Sequence, residues 1–174
     1  MLIVFGGLPG TGKTTLARAF AQQRRATYLR IDTIEQALRS SEMLAGDVGP
    51  AGYMVAYALA EANLRLGGIA DSVNPLAITR DAWRKVAAVA ASAIFEIEVV
   101  CSDPDQHRRR IEARTIDIAG LTPPSWQQVI DRHYEPWDRP RFVLDTANRT
   151  PVETLEELCS RIDGNSTDYP TVGT

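Results

Sequence analysis

The residues best suited to chemistry come early. Gly7-Leu8-Pro9-Gly10-Thr11-Gly12-Lys13-Thr14 matches G-x-x-x-x-G-K-[ST] in full, a pattern in which a glycine loop wraps a chain of phosphates. Gly7, Gly10 and Gly12 let the backbone turn where a Cβ would clash, so that amide N–H groups converge on an anion. Lys13 reaches the β- and γ-phosphates, the Thr14 hydroxyl can hold Mg²⁺, and Thr11 and Thr15 complete the nucleotide contacts. The chain has two lysines, Lys13 and Lys85, against seventeen arginines. A compact ammonium on a flexible stem fits this position better than a guanidinium fork. A glycine-rich turn that merely happens to carry Lys-Thr is the bland alternative, and the flanking sequence argues against it. Residues 2–5 are apolar and partly β-branched, as in a buried strand, and Leu16, Ala19 and Phe20 then recur at helical spacing. Strand, loop and helix together imply a nucleoside triphosphate site.

Other side chains could act on a triphosphate held there. Asp32 follows the run 26–31 and would face the terminal phosphate, placed to accept the proton of an attacking hydroxyl. Asp is also a good N-cap for a helix beginning at Thr33, and the two roles are compatible. Asp71 lies near the end of the run 69–73 and resembles the acidic residue that holds Mg²⁺ beside a phosphate loop. In the reverse assignment Asp71 is the base and Asp32 a substrate-binding acid. Ser72 and Asn74 share that turn and either bind the acceptor or cap the loop. Within His107-Arg108-Arg109-Arg110-Ile111-Glu112-Ala113-Arg114, Arg110 and Arg114 are four apart and fall on one helical face. Two guanidinium groups there suit a lid over transferring phosphates, although most basic runs are solvated faces. Tyr53 and Tyr57 are four apart as well, a spacing more often found in cores; Tyr53 and Arg39 join Asp32 and Asn74 as acceptor-side candidates. Trp126, His133, Tyr134 and Trp137 cluster in sequence without metal-ligand spacing and carry no assignment.

The elements that must position these groups follow from periodicity. Residues 26–31, 69–73, 93–101 and 141–145 read as strands after the first. Helices are expected over 33–44 with Ile34, Ala37 and Leu38 inward, and over 51–66 with Val55, Ala58, Leu59, Ala62 and Leu66 as an apolar stripe. Further helices are expected over 79–91, from Asp103 onward, from Thr122-Pro123-Pro124 to about 134, and over 151–162. Asp103-Pro104-Asp105-Gln106 opens its helix well, with an N-cap, a proline at the first position and Gln three residues after the cap. Strands alternating with helices imply a parallel sheet with right-handed crossovers and helices on both faces. Ligands gather beyond the carboxyl ends of such strands. Gly7, Asp32, Asp71, Ser102 and Thr146 should therefore be neighbours in space.

Composition sets the bounds. A chain of 174 residues, 44% hydrophobic and 24% charged, fits one α/β domain over 1–163, with a lid at about 103–120 and a polar tail over 164–174. No apolar run approaches the roughly eighteen residues of a membrane span. The first strand begins at once, so no leader peptide is expected, and Cys101 and Cys159 read as reduced thiols without metal spacing. A cytoplasmic protein is the expectation. A net charge of −3 argues against a chain built to hold nucleic acid.

The glycine loop, Asp32, the turn Asp71-Ser72-Val73-Asn74 and the pair Arg110 and Arg114 together resemble the small P-loop kinases of the zeta-toxin, chloramphenicol-phosphotransferase and polynucleotide 5′-kinase type, over residues 1–162. The resemblance implies an α/β, three-layer P-loop NTPase fold with a five-stranded parallel sheet in the order 2-3-1-4-5 and an arginine-bearing helical lid. It implies ATP and Mg²⁺ as cofactors and transfer of the γ-phosphate to a hydroxyl of a small-molecule acceptor. Lys13 and Thr14 then look like the phosphate and Mg²⁺ residues, and Asp32 looks like the base. The Asp71 turn is similar to the family's Asp-Ala-Thr-Asn, and Arg110 and Arg114 match the R-x-x-x-R of the lid. Asn148-Arg149-Thr150 would lie on adenine, with Asn148 and Thr150 in contact. There are two departures. Polynucleotide kinases carry Asp-x-x-Arg where this chain has Asp32-Thr33-Ile34-Glu35, and the extra lid arginine of the antibiotic kinases is replaced by Ile116-Asp117-Ile118. Two alternatives stand beside the small-molecule kinase. A polynucleotide 5′-hydroxyl kinase is disfavoured by net charge and by Glu35; a regulatory nucleotide-binding module without phosphotransfer would not need Asp32 or the arginine run. A GTPase would need [NT]-K-x-D, and Lys85 lies instead in Trp83-Arg84-Lys85-Val86.

Overall fold

Strict alternation along the central strand feeds two separate cores. In β1 (Leu2–Gly6), Ile3 and Phe5 point to one face of the sheet, and Leu2 and Val4 to the other. The protein is described by a computed structural model over residues 1–41 and 46–165. Flanking β1 are β2 (Thr27–Arg30), β3 (Gly68–Asp71), β4 (Ile94–Val100) and β5 (Phe142–Asp145), all parallel, in the order β2-β3-β1-β4-β5. On the Phe5 face, Leu16, Ala17 and Phe20 of α1 (Lys13–Arg24) pack with Leu158 and Ile162 of α7 (Pro151–Asn165). The Leu2 face receives Ala56 and Ala60 of α3 (Ala51–Asn63) and Trp83, Val86 and Ala87 of α4 (Ala77–Val89). Both faces are therefore covered, as a parallel sheet requires. The remaining helices are α2 (Ile31–Ser40), α5 (Pro104–Glu112) and α6 (Trp126–Ile130). Register brings Phe5, Arg30 and Asp71 level at the carboxyl ends of β1, β2 and β3, which sets the floor of the site.

Several elements differ from the expectation, each for a local reason. The second helix starts at Ile31, directly after β2, so Asp32 lies in its first turn and Arg30, not Asp32, is the N-cap residue. A carboxylate there meets the positive end of the helix dipole. The far end of the expected 33–44 helix falls partly in 42–45, outside the described residues. In α3 the apolar stripe faces the other way: Gly52, Ala56 and Ala60 are buried, whereas Val55 and Leu59 are 38% and 42% exposed. At Gly52, Glu35 lies so close that a Cβ would sit 2.3 Å from its Cγ, while Ala56 and Ala60 pack in the core with Leu2, Val4 and Leu29, and close approach of elements selects small residues. A 3₁₀ turn, Leu64–Leu66, follows α3. Helix α5 opens on Asp103 as expected, its carboxylate accepting the Gln106 N–H at 2.9 Å, but it stops at Glu112. Arg110 is on that helix and Arg114 is just past its C-cap, Ala113, so the two do not share a helical face. The proline-marked helix α6 also ends early, at Ile130, after a capping box from Ser125 and Gln128. The last helix runs to Asn165, beyond the expected start of the tail; 166–174 lie outside the described residues.

Candidate active site

The glycine loop between β1 and α1 is clamped on both sides. Gly7, Gly10 and Gly12 have φ of +133°, +84° and +93°, conformations that L side chains rarely adopt. A Cβ on Gly7 would stand 2.2 Å from the Val99 carbonyl of β4, and one on Gly10 would stand 2.6 Å from Ile111 Cδ1 of α5. Thr11 turns inward and donates its hydroxyl to Leu8 O at 2.9 Å. Gly12 caps α1 without a side-chain hydrogen bond, which leaves the first-turn N–H groups for an anion.

Lys13 is 6% exposed at the start of α1. Burial pulls its ammonium below the ordinary lysine range; Asp71 and then Asp32 oppose that, and Arg114 and Arg30 add to it. A chain of phosphates beside it would restore the charge. Asp71, at the end of β3, is buried; its Oδ2 accepts the Tyr28 hydroxyl at 2.7 Å, while its Oδ1 is buried without a partner. Burial, and next the Asp71 charge, push the Tyr28 phenol up, so it remains a donor. An orphaned carboxylate oxygen beside the phosphate loop suits a divalent cation or its water shell. Among the described residues no group of three or more His, Cys, Asp and Glu could hold a metal unaided. A cation here would rest on Asp71, the Thr14 hydroxyl and phosphate oxygens, which is how Mg²⁺ is commonly bound.

Two cavities open from this floor. One, of about 410 Å³, runs along Gly10, Gly12, Lys13, Thr14 and Thr15 to Arg110, Arg114, Thr146, Arg149, Pro151 and Thr154. Arg110 donates to Thr146 Oγ1 at 2.7 Å and Thr146 O at 2.9 Å, and the Thr146 hydroxyl donates to Thr11 O at 2.8 Å. Thr146 thus joins the arginine of α5 to the loop. Of the stretch expected on adenine, Asn148-Arg149-Thr150, one residue lines the cavity. Arg149 lines this cavity, whereas the Asn148 N–H bonds Gln106 and Thr150 exchanges capping bonds with Glu153.

The second cavity, of about 480 Å³, shares Lys13 and Arg114 with the first and holds Asp32, Glu35, Arg39 and Tyr53. Its far wall comes from Ile116 and residues 121–124, with Gln128 and Arg132 of the α6 region. Burial raises the Glu35 carboxyl, partly offset by Arg39 at 3.3 Å. Glu35 lies one turn beyond Asp32 on the same helix, so its spacing could have marked it; Gln128 and Arg132 carried no such signal. Asn74 does not reach the cavity. It is fully buried, its Nδ2 donating to Phe5 O at 3.1 Å and its Oδ1 accepting Trp83 Nε1 at 3.1 Å, and it takes φ +49°. With every polar atom of its side chain engaged, Asn74 shapes the turn, and its backbone N–H donates to the Tyr53 hydroxyl at 3.2 Å.

The aromatic cluster left unassigned divides in two. Trp126 packs edge-on against His107, 5.1 Å between ring centroids, and the His107 Nε2 hydrogen-bonds to Pro9 O at 2.7 Å. This docks α5 and α6 on the glycine loop. Tyr134 and Trp137 flank the buried Arg80, whose guanidinium donates to the carbonyls of Asn74, Pro75, Glu135 and Pro136.

A family model described as an AAA domain matches residues 2–136. The chain belongs to this family. Its fold is shared at low identity with solved proteins, two of them named kinases. An APS kinase of Mycobacterium tuberculosis, in complex with AMPPNP and APS, superposes with a TM-score of 0.65 at 20% identity, over 93% of this chain and 96% of that one. A sugar kinase of Janibacter sp. gives 0.68 at 17%, over 93% and 94%. Kti12 of Chaetomium thermophilum, in complex with ADP-AlF3, gives 0.65 at 22%, over 92% and 98%. No curated protein matches the sequence. The parallel five-stranded sheet of this AAA-domain protein, in the order expected, is the P-loop arrangement. No helix among the described residues is long and apolar enough to cross a membrane.

Proposed function

We propose that the protein is an ATP- and Mg²⁺-dependent kinase that moves the γ-phosphate to a hydroxyl of a small, polar acceptor. The observation that carries this reading is the meeting of two cavities at Lys13 and Arg114, one backed by the glycine loop and the other by Asp32. A site that only binds or hydrolyses nucleotide has no use for a second, charged cavity of similar size. Two of the structural neighbours are named kinases, one of them held with both a nucleotide analogue and an acceptor, which supports the same reading.

Lys13 and the N–H groups of α1 hold the β- and γ-phosphates, and Arg110 and Arg149 close the nucleotide side. Thr14 and Asp71 would hold Mg²⁺, which when bound neutralises charge on the β- and γ-oxygens. In the second cavity Asp32 takes the proton of the acceptor hydroxyl, whose oxygen bonds the γ-phosphorus as the bond to the bridging oxygen breaks. Arg114, facing both cavities, stabilises the charge that spreads over the transferring group. Tyr53, Glu35 and Arg39 supply polar contacts to the acceptor.

The test is transfer of labelled phosphate from ATP to a panel of sugars, nucleosides, aminoglycosides, phenicols and 5′-hydroxyl oligonucleotides, with Asp32→Asn beside the parent. Asp32→Asn is expected to bind ATP normally and to lose transfer. Label appearing only on the oligonucleotides would overturn the small-molecule reading, and transfer by Asp32→Asn at the parent rate would move the base to Asp71.

A further inference from the structure

Asp32 is not the only carboxylate within reach of Arg30. Arg30 ends β2, and its side chain is 4% exposed. Its Nη1 donates to both carboxylate oxygens of Asp117, at 2.8 and 3.0 Å, while its Nη2 stands 3.7 Å from Asp32 Oδ2, too far for a hydrogen bond. Its Nε is buried without a partner. Asp117 also accepts from Arg18 of α1. It lies three residues beyond Arg114, in the segment whose Ile116 and Leu121 wall the acceptor cavity. Nothing in the loop, the base or the lid arginines requires an acid here, yet two arginines from two elements converge on it.

We propose that Asp117 is a positioning residue for phosphoryl transfer. It takes up the buried Arg30 so that Asp32 keeps free oxygens to accept a proton, and it ties the Arg114 segment to α1 and β2. The inference rests on the reading of Asp32 as the base. A guanidinium at this depth must pair, because an unpaired buried charge is strongly unfavourable. With the Asp117 charge gone, the nearest carboxylate for Arg30 is Asp32, and closing the 3.7 Å gap would make a direct charge-assisted bond. Such a bond favours the ionised carboxylate and occupies the oxygens that should accept the proton, so the base weakens in both respects. The same substitution weakens both ties of the Arg114 segment, to Arg30 of β2 and to Arg18 of α1, because both run through the Asp117 carboxylate.

The test is a double-mutant cycle on the full chain with the acceptor found by the panel. Asp117→Asn keeps shape and loses charge; Asp117 is half exposed, and melting of the variant checks that it folds. The expectation is a fall in kcat of about tenfold or more, the scale of a disturbed base, with KM for ATP nearly unchanged and the acid limb of the pH profile displaced to lower pH. Lys13 from α1, Glu35 and Arg39 from α2, Tyr53 from α3, and Arg114 and Arg132 face the same cavity as Asp32 and are common to all variants, so the displacement reads the lost Asp117 charge together with the Arg30 response to it. Adding Arg30→Met, which removes the competing charge at similar volume, should restore most of the lost kcat. A double variant no faster than Asp117→Asn, or an Asp117→Asn enzyme within twofold of the parent, overturns the proposal. Titration of the Asp32 carboxylate by carbon NMR in the parent and in Asp117→Asn, each with and without Arg30→Met, separates this from the function itself. A midpoint that falls further on Asp117→Asn in the parent than in the Arg30→Met background supports the arginine exchange even if Asp32→Asn shows that Asp32 is not the base; equal falls, the direct effect of the lost Asp117 charge, refute it.

Discussion

Replacing Asn74 with Ala separates a residue that binds substrate from one that builds the site. Asn74 is fully buried, and its Oδ1 is the partner of the Trp83 indole N–H, itself at 0% exposure. Asn74→Ala would leave that donor buried and unsatisfied, at about 1–3 kcal/mol. The Phe5 carbonyl loses the Nδ2 donor but keeps the Ser72 N–H at 3.3 Å, so it adds little. The backbone at Asn74 has φ +49°, which Asn tolerates and Ala does at about 1–2 kcal/mol. The sum is about 2–5 kcal/mol, which for a chain of this size lowers the melting temperature by roughly 4–20 °C. Thermal melts and urea titration of the parent, Asn74→Ala, Trp83→Phe and the double variant measure it. Trp83→Phe deletes the stranded donor, so the double variant should be less destabilised than the two single changes added, by about 1–3 kcal/mol. A variant that melts within 1–2 °C of the parent (roughly, by the same conversion) but loses acceptor affinity would refute the reasoning and return Asn74 to the acceptor side.

Lys13→Ala should remove ATP turnover and the nucleotide-induced rise in melting temperature; survival of either would contradict the loop assignment. Because burial holds the free Lys13 ammonium below its ordinary 10.5, nucleotide affinity should fall as pH rises through that lowered value, before exposed lysines deprotonate, and binding isotherms on the alkaline side check the sign. Gly7→Ala drives a Cβ to 2.2 Å from a backbone carbonyl and should abolish nucleotide binding, whereas a variant that binds at parent affinity would mean the loop has room that this geometry denies. Asp71→Asn should raise the Mg²⁺ concentration for half-maximal transfer by about tenfold or more, on the scale of lost metal-shell groups, with metal-free nucleotide binding unchanged in equilibrium dialysis.

Local pattern was enough for everything built from contiguous residues. The glycine spacing, the β-branched first strand and the Asp103-Pro104 helix opening each depend on neighbours in the chain, so the nucleotide loop, the five parallel strands and the start of α5 could be read from it. Strand-end reasoning also brought Gly7, Asp71 and Thr146 to one edge, because in a parallel sheet all carboxyl ends point the same way. Packing decided the rest. The stripe of α3 that turns inward is the small one, Gly52, Ala56 and Ala60, because it lies close against Glu35 and the sheet, a closeness that hydrophobicity along the helix cannot report. The length of α5 placed Arg114 off the helix and over both cavities. Asn74 looked like a ligand because an amide in a strand-end turn has that chemistry, and only the buried indole of Trp83, nine residues away, shows where its oxygen goes. Arg30 and Asp117 are separated by 87 residues and form an ion pair across the site. No local period encodes such a pair, since it exists only when β2 and the segment after α5 meet in space.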